Sequence, residues 1–177
     1  MRVNPMTEAQ KKLRIGWFSF SCCEDSTVMF TEFLNDHYEE WLKVLDIRHA
    51  KVLQSKNVLD ELDVAFVEGA IASPEQEAKL LEIRSKSKKL VAIGSCAVMG
   101  NFSTQRNEFP EVVQEQIHFL LEKFHYGKKA KKLDELVTVD ETVTGCPMSE
   151  QKFYEVLNKM LQEFGISAEK PTTNQPS

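Results

Sequence analysis

"LDVAFVEGAIASPEQEAKLLEIRSKSKKLVAIGSCA", residues 62–97, decides the fold. Its first part is a near-continuous apolar run bounded by Asp63 and Gly69, and it reads as a strand. Ser73 then stands as an N-cap, with Pro74 at the first helical position and Gln76 at the third, which predicts a helix over 73–87. "KKLVAIGSCA" follows as a second buried strand that ends in Gly94-Ser95-Cys96. Strand, helix and strand joined by short connections make one unit of a parallel sheet.

The same alternation continues in both directions. "LRIGWFSF" (13–20) reads as a buried strand with Trp17 and Phe18 in the core. "STVMFTEFLNDHYEEWL" (26–42) places Val28, Met29, Phe33 and Leu34 near helical spacing, and "KVLDIRHA" (43–50) reads as a strand. "PEVVQEQIHFLLEKF" sets Val113, Ile117, Leu120, Leu121 and Phe124 on one helical face, and "LVTVDETV" (136–143) reads as a short strand. Ser149 caps a last helix carrying Phe153, Val156, Leu157, Met160, Leu161 and Phe164, closed by Gly165. The expected fold is therefore α/β, with a mostly parallel sheet and helices on both faces. One domain should span 13–165, with flexible termini at 1–12 and 166–177.

Composition narrows the function. The chain of 177 residues is 42% hydrophobic and 28% charged, as expected of a globular protein with a sufficient core. A formal net charge of −5 leaves no excess of cations for nucleic-acid phosphates. No apolar run is long enough to span a bilayer, and no secretory signal is evident. The cytoplasm is the expected location, where thiols stay reduced and clustered cysteines serve as metal ligands rather than disulfides.

The chain has four cysteines. Cys22 and Cys23 follow the strand "IGWFSF", Cys96 follows "LVAIG", and Cys146 follows "ETVTG". Each lies just past the carboxyl end of a strand, and in a parallel sheet those ends share one edge, where ligands gather. Four thiolates meeting there satisfy a 4Fe-4S cluster or a tetrahedral zinc ion. Zinc suits the pattern less, because no C-x2-C knuckle is present and adjacent cysteines fit separate irons better than one metal. Gly94 and Gly145 allow close backbone approach beside the later cysteines, and Pro147 fixes the chain leaving Cys146.

"SCCED", "DVAFVEGAI", "KLVAIGSCAVMG" and "VTGCPMSEQKF" occur in the order found in nickel-iron hydrogenase small subunits. The chain closely resembles that family and the homologous 20 kDa subunit of NADH:quinone oxidoreductase. The resemblance implies a flavodoxin-like fold and one 4Fe-4S cluster that passes electrons without bond chemistry in this chain. It further implies a nickel-iron large subunit as partner, covering an apolar patch near the cluster, and a diaphorase or similar module that exchanges the electrons. A complex I-like oxidoreductase without hydrogenase activity is the alternative within the family, and a zinc-bound structural module is the alternative outside it.

The resemblance also leaves a choice of ligands. Many hydrogenase small subunits begin with C-x-x-C, and here Ser26 stands where the second cysteine would fall from Cys23. Cys22 and Cys23 as tandem ligands complete four thiolates with Cys96 and Cys146. The other set replaces Cys22 with Ser26, a harder and poorer iron ligand. Glu24 and Glu68 are candidate carboxylates beside the site, either relaying protons or adjusting its potential. His37, His49, His118 and His125 are scattered and carry no ligand spacing, and "GKKAKK" reads as a solvated face.

Overall fold

The computed structural model describes residues 11–166. Of the flexible termini expected at 1–12 and 166–177, residues 1–10 and 167–177 lie outside the described residues, whereas Ile166 is buried with its N–H on Leu161 O. Among the described residues, five strands form one sheet: β1 Leu13–Ser19, β2 Leu45–Ala50, β3 Leu62–Glu68, β4 Ser87–Ile93 and β5 Glu141–Val143. Their order is β2-β1-β3-β4-β5 and every pairing is parallel. This is the flavodoxin-like order, with its switch of direction between β1 and β3. Seven α-helices, counted over the same residues, accompany the strands: α1 Asp25–Asp36, α2 Tyr38–Val44, α3 Pro74–Lys86, α4 Gly94–Met99, α5 Asn101–Thr104, α6 Glu111–Lys123 and α7 Glu150–Glu163.

Period-two alternation divides β1 between two cores. Leu13, Ile15 and Trp17 pack with Phe30, Phe33, Trp41 and Phe153 beneath α1, α2 and α7. Phe18 joins Leu80, Ile83, Leu90 and Leu133 on the α3 side. Both faces of the sheet are thus covered, and every residue of β3 is buried. Trp17 stacks on Phe30 with ring centroids 4.2 Å apart and planes 3° from parallel.

At the amino ends of the strands, Asp63 is the one charged residue inside β3 other than its terminal Glu68. It accepts hydrogen bonds from the Arg14 backbone and guanidinium and from Lys88 Nζ. Burial alone would raise its carboxyl, but these donors hold it down to about 2.

The helix over 73–87 forms as expected, from Pro74, with the Ser73 hydroxyl accepting the Gln76 N–H. The Gln76 side chain does not reach back to the amide of its cap: its Oε1 accepts from the Ala72 N–H and from Ser21 Oγ. The helix expected over 26–42 is two helices. His37 ends α1 with its N–H on Phe33 O and starts α2 by accepting from Trp41 N–H, and the turn returns Trp41 to the core. The buried face of α1 is Ser26, Thr27, Phe30, Phe33 and Leu34, and Val28 is exposed. The last strand is shorter than 136–143, because the Asp140 carboxylate itself takes the Leu90 N–H. Helix α6 has its expected amphipathic spacing yet buries no residue.

Candidate functional site

Cys22, Cys23, Cys96 and Cys146 line one recess at the carboxyl ends of the strands, together with Asp25, Ser26, Glu68, Ile93, Gly94, Ser95, Gly145 and Pro147. Three separate strand exits therefore converge, which is what a parallel sheet offers its ligands. The recess encloses only about 10 Å³ and is not a closed cavity. All four thiols are free: Cys96 is buried, Cys22 half-buried, and Cys23 and Cys146 exposed. Cys96 belongs to the first turn of α4, not to a loop after β4.

The thiols sense one another. Burial pushes Cys22 up to about 12, with Glu68, Cys96 and Cys23 adding to it against a backbone N–H from Glu24. A backbone N–H from Asp25 pulls Cys23 down, but burial, the Asp25 carboxylate and Cys146 outweigh it and the net shift is upward. A metal ligated by Cys22 and Cys23 would have to displace their protons.

Cys22 and Cys23 sit on an arch between β1 and α1. One foot is a reciprocal pair of backbone hydrogen bonds: Ser21 N–H donates to Ala70 O at 3.0 Å and Ala70 N–H to Ser21 O at 3.1 Å. The other foot is held by Glu68, whose two carboxylate oxygens accept the Ser26 and Thr27 N–H groups, each at 3.1 Å. A carboxylate from β3 thus caps α1, whose own N-cap residue, Glu24, makes no side-chain capping bond. Both feet stand on three consecutive residues, Glu68-Gly69-Ala70. Gly69 has φ +91°, and a Cβ there would lie 3.2 Å from Cys22 Sγ and 2.9 Å from the Phe20 carbonyl carbon.

The other wall is tied across two loops. Ser95 N–H donates to Gly145 O at 2.7 Å, joining the Cys96 turn to the Cys146 turn. Gly145 has φ +122°, and a Cβ would meet Pro147 O at 2.5 Å. Cys146 and Pro147 are joined by a cis peptide bond. Ser26 is buried, and its hydroxyl accepts the Met148 N–H at 3.2 Å.

Of the two expected carboxylates, Glu68 lines the recess, whereas Glu24 lines a neighbouring cavity with Trp17, Phe18 and His49. Asp25 takes the second place beside the thiols. Sequence reasoning also passed over Thr27 and Ser21, and read Gly69 only as a strand boundary; nothing local marks Thr27. The histidines stay apart from the thiols: His49 is buried with Nδ1 3.3 Å from Trp17 O, and His118 pairs with Glu122 on exposed α6. Among the described residues, no three His, Cys, Asp or Glu side chains take positions suited to a single metal ion.

The donor set is four soft thiols, with glycines where the backbone comes close, and it suits an iron-sulfur cluster. Such a cluster needs its four sulfurs spread over separate irons, not converged on one ion.

Known proteins bear on this geometry. A profile described as NADH ubiquinone oxidoreductase, 20 Kd subunit, matches residues 22–160. One subunit of the F420-non-reducing hydrogenase of Methanothermobacter marburgensis is 28% identical across 93% of this chain and 58% of its own length. The NAD-reducing hydrogenase HoxS subunit delta of Cupriavidus necator is 20% identical across 85% of this chain and 79% of its own. The chain spans just over half the length of the Methanothermobacter relatives it matches. A crystal structure of an NAD+-reducing [NiFe]-hydrogenase in the H2-reduced state contains a chain that superposes with a TM-score of 0.72. That chain is 22% identical, with 94% of this chain and 99% of that one covered, so the two share a fold.

Proposed function

Because this chain belongs to the NADH ubiquinone oxidoreductase 20 kDa subunit family, we propose that it is the electron-transferring subunit of a nickel-iron hydrogenase complex. In this reading Cys22, Cys23, Cys96 and Cys146 hold one 4Fe-4S cluster within a single domain over 13–165. The observation that carries the reading is the convergence of all four cysteines of the chain, from three strand ends, on one recess.

When bound, the cluster supplies a one-electron carrier whose potential follows its charge, its hydrogen bonds and its exposure. The chain's residues supply the rest. Buried Cys96 and half-buried Cys22 anchor the inner side, and exposed Cys23 and Cys146 face outward. Glu68 fixes the arch and keeps a carboxylate near Cys22. Met99 and Phe102 are 61% and 73% exposed, and Ser103 Oγ donates to Ser21 O, which sets this apolar pair beside the arch. A large subunit carrying the nickel-iron centre would cover that patch and dry the site.

The relatives' names support the hydrogenase reading, and "NAD-reducing" in one of them supports a diaphorase partner. Four cysteines read as metal ligands rather than disulfides fit a reducing, cytoplasmic location. Among the described residues no helix is long and apolar enough to cross a membrane.

Anaerobic purification with iron, sulfide and zinc analysis tests the cofactor. Iron and acid-labile sulfide in equal amounts support the cluster; zinc without sulfide would end that reading. Co-purification with a co-expressed nickel-iron large subunit, followed by hydrogen-dependent dye reduction, tests the activity. The matched profile and the tandem cysteines favour one second reading, a complex I-like subunit. A cluster-bearing complex without nickel or hydrogen-dependent reduction would select it.

A further inference from the structure

The Thr27 hydroxyl stands at the centre of three hydrogen bonds. It lies 2.6 Å from Glu68 Oε2, 2.8 Å from Trp17 Nε1 and 2.9 Å from Ser19 Oγ. A hydroxyl has one proton to give and two lone pairs, an indole N–H only donates, and a carboxylate only accepts. The directions are therefore fixed. Thr27 donates to Glu68, accepts from Trp17, and its remaining lone pair takes the Ser19 hydroxyl. No capacity is left over, and Thr27, Glu68 and Trp17 are buried. Water cannot readily replace the bonds to Glu68 and Trp17, which are buried, so losing either costs a desolvated group.

Glu68 is a buried carboxylate with no Lys, Arg or His side chain at ion-pair distance among the described residues. Its partners are the Ser26 N–H, the Thr27 N–H and the Thr27 hydroxyl. The N-terminus of α1, a helix of 12 residues, supplies the remaining compensation. Trp17, fixed from the other side by its stack on Phe30, ties the hydroxyl to the core.

We propose that Thr27 is a positioning residue: its hydroxyl latches the start of α1 to Glu68, Trp17 and Ser19, and so sets the Cys22–Cys23 arch before any cluster is present. The functional meaning of this latch rests on the cluster reading above, but its test does not.

The test uses the full chain without iron. Cysteine alkylation under native conditions at one pH is followed by peptide mass spectrometry, and amide exchange of Ser26 and Thr27 by NMR. In the wild type, Cys23 and Cys146 should react quickly and Cys22 slowly. Thr27→Val should speed Cys22 alkylation about tenfold and expose the two amides, while Thr27→Ser stays within about twofold of wild type. Equal Cys22 rates in all three proteins overturn the latch. Should Thr27→Val not fold, Ser19→Ala and Glu68→Gln carry the same readouts, and unchanged Cys22 protection in both overturns it. A chain that shows the Thr27 effect but never assembles a cluster sinks the proposed function and leaves the latch standing.

Discussion

The Ser26 hydroxyl accepts the Met148 N–H at 3.2 Å, joining the start of the helix after the tandem cysteines to the second residue after Cys146. A serine engaged in this way is part of the scaffold between two walls of the recess. Ser26→Ala should therefore keep the cluster and cost about 1–2 kcal/mol of stability, by leaving a buried amide unpaired. Cys22→Ser should lose it. Iron and sulfide content after anaerobic reconstitution, with urea unfolding, checks both. A cluster that survives Cys22→Ser but not Ser26→Ala would make the serine the ligand.

Gly69 and Gly165 form a matched comparison. Both have positive φ, but a Cβ at Gly165 meets nothing within 4 Å, whereas one at Gly69 strikes the Cys22 arch. Gly165→Ala should cost roughly 1 kcal/mol and leave iron content unchanged. Gly69→Ala should cost roughly 2 kcal/mol or more and reduce iron incorporation. Thermal unfolding and iron analysis separate the two.

Asp63 makes stability depend on acid. Its folded carboxyl is depressed to about 2 from an ordinary value of 3.8, so it binds its proton less readily folded than unfolded. The contribution, roughly 2 kcal/mol, is fully present above about pH 4 and is lost as pH falls through 2. Urea unfolding of wild type and Asp63→Asn between pH 2 and 7 should show the gap between them shrinking toward the acid end. A gap independent of pH would mean that the Arg14 and Lys88 contacts do not stabilise the ionised form.

Phe102 should matter for assembly and little for folding. It is 73% exposed, so Phe102→Asp should move the melting temperature of the isolated chain by no more than a degree or two. In the assembled complex the same change should weaken retention of the large subunit at least tenfold. Size-exclusion chromatography of the co-expressed pair checks this, and intact assembly would place the partner on another face.

The centre of the sheet was legible in the sequence because β1, β3 and β4 each carry a short apolar run with a clear break after it. "DVAFVE" and "LVAIG" are buried on both faces and show no competing period. The gathering of cysteines was legible for the same reason, since strand ends in a parallel sheet share an edge. Elements set by distant side chains were not. β5 starts only at Glu141 because the Asp140 carboxylate reaches Leu90 N–H, and α1 stops where Trp41 turns back to Phe30 and Phe153. Thr27 carries no local mark of its hub role, because its partners come from β1 and β3. Glu24 and Asp25 are neighbours with the same charge, and only the left-handed backbone at Glu24 decides which of them turns toward the thiols.

The order of the cysteines along the chain also has a consequence in time. A ribosome delivers the Cys22–Cys23 arch early, but its footing on Glu68 and Ala70 arrives only with β3, and the opposite wall only with β5 and the turn at Cys146. Until then the emerging chain offers half a cage, with Cys23 open to oxygen and to stray metals. If the four thiols hold the proposed cluster, its loading is an event for the finished fold, and the interval before it is when the nascent protein most needs reducing surroundings.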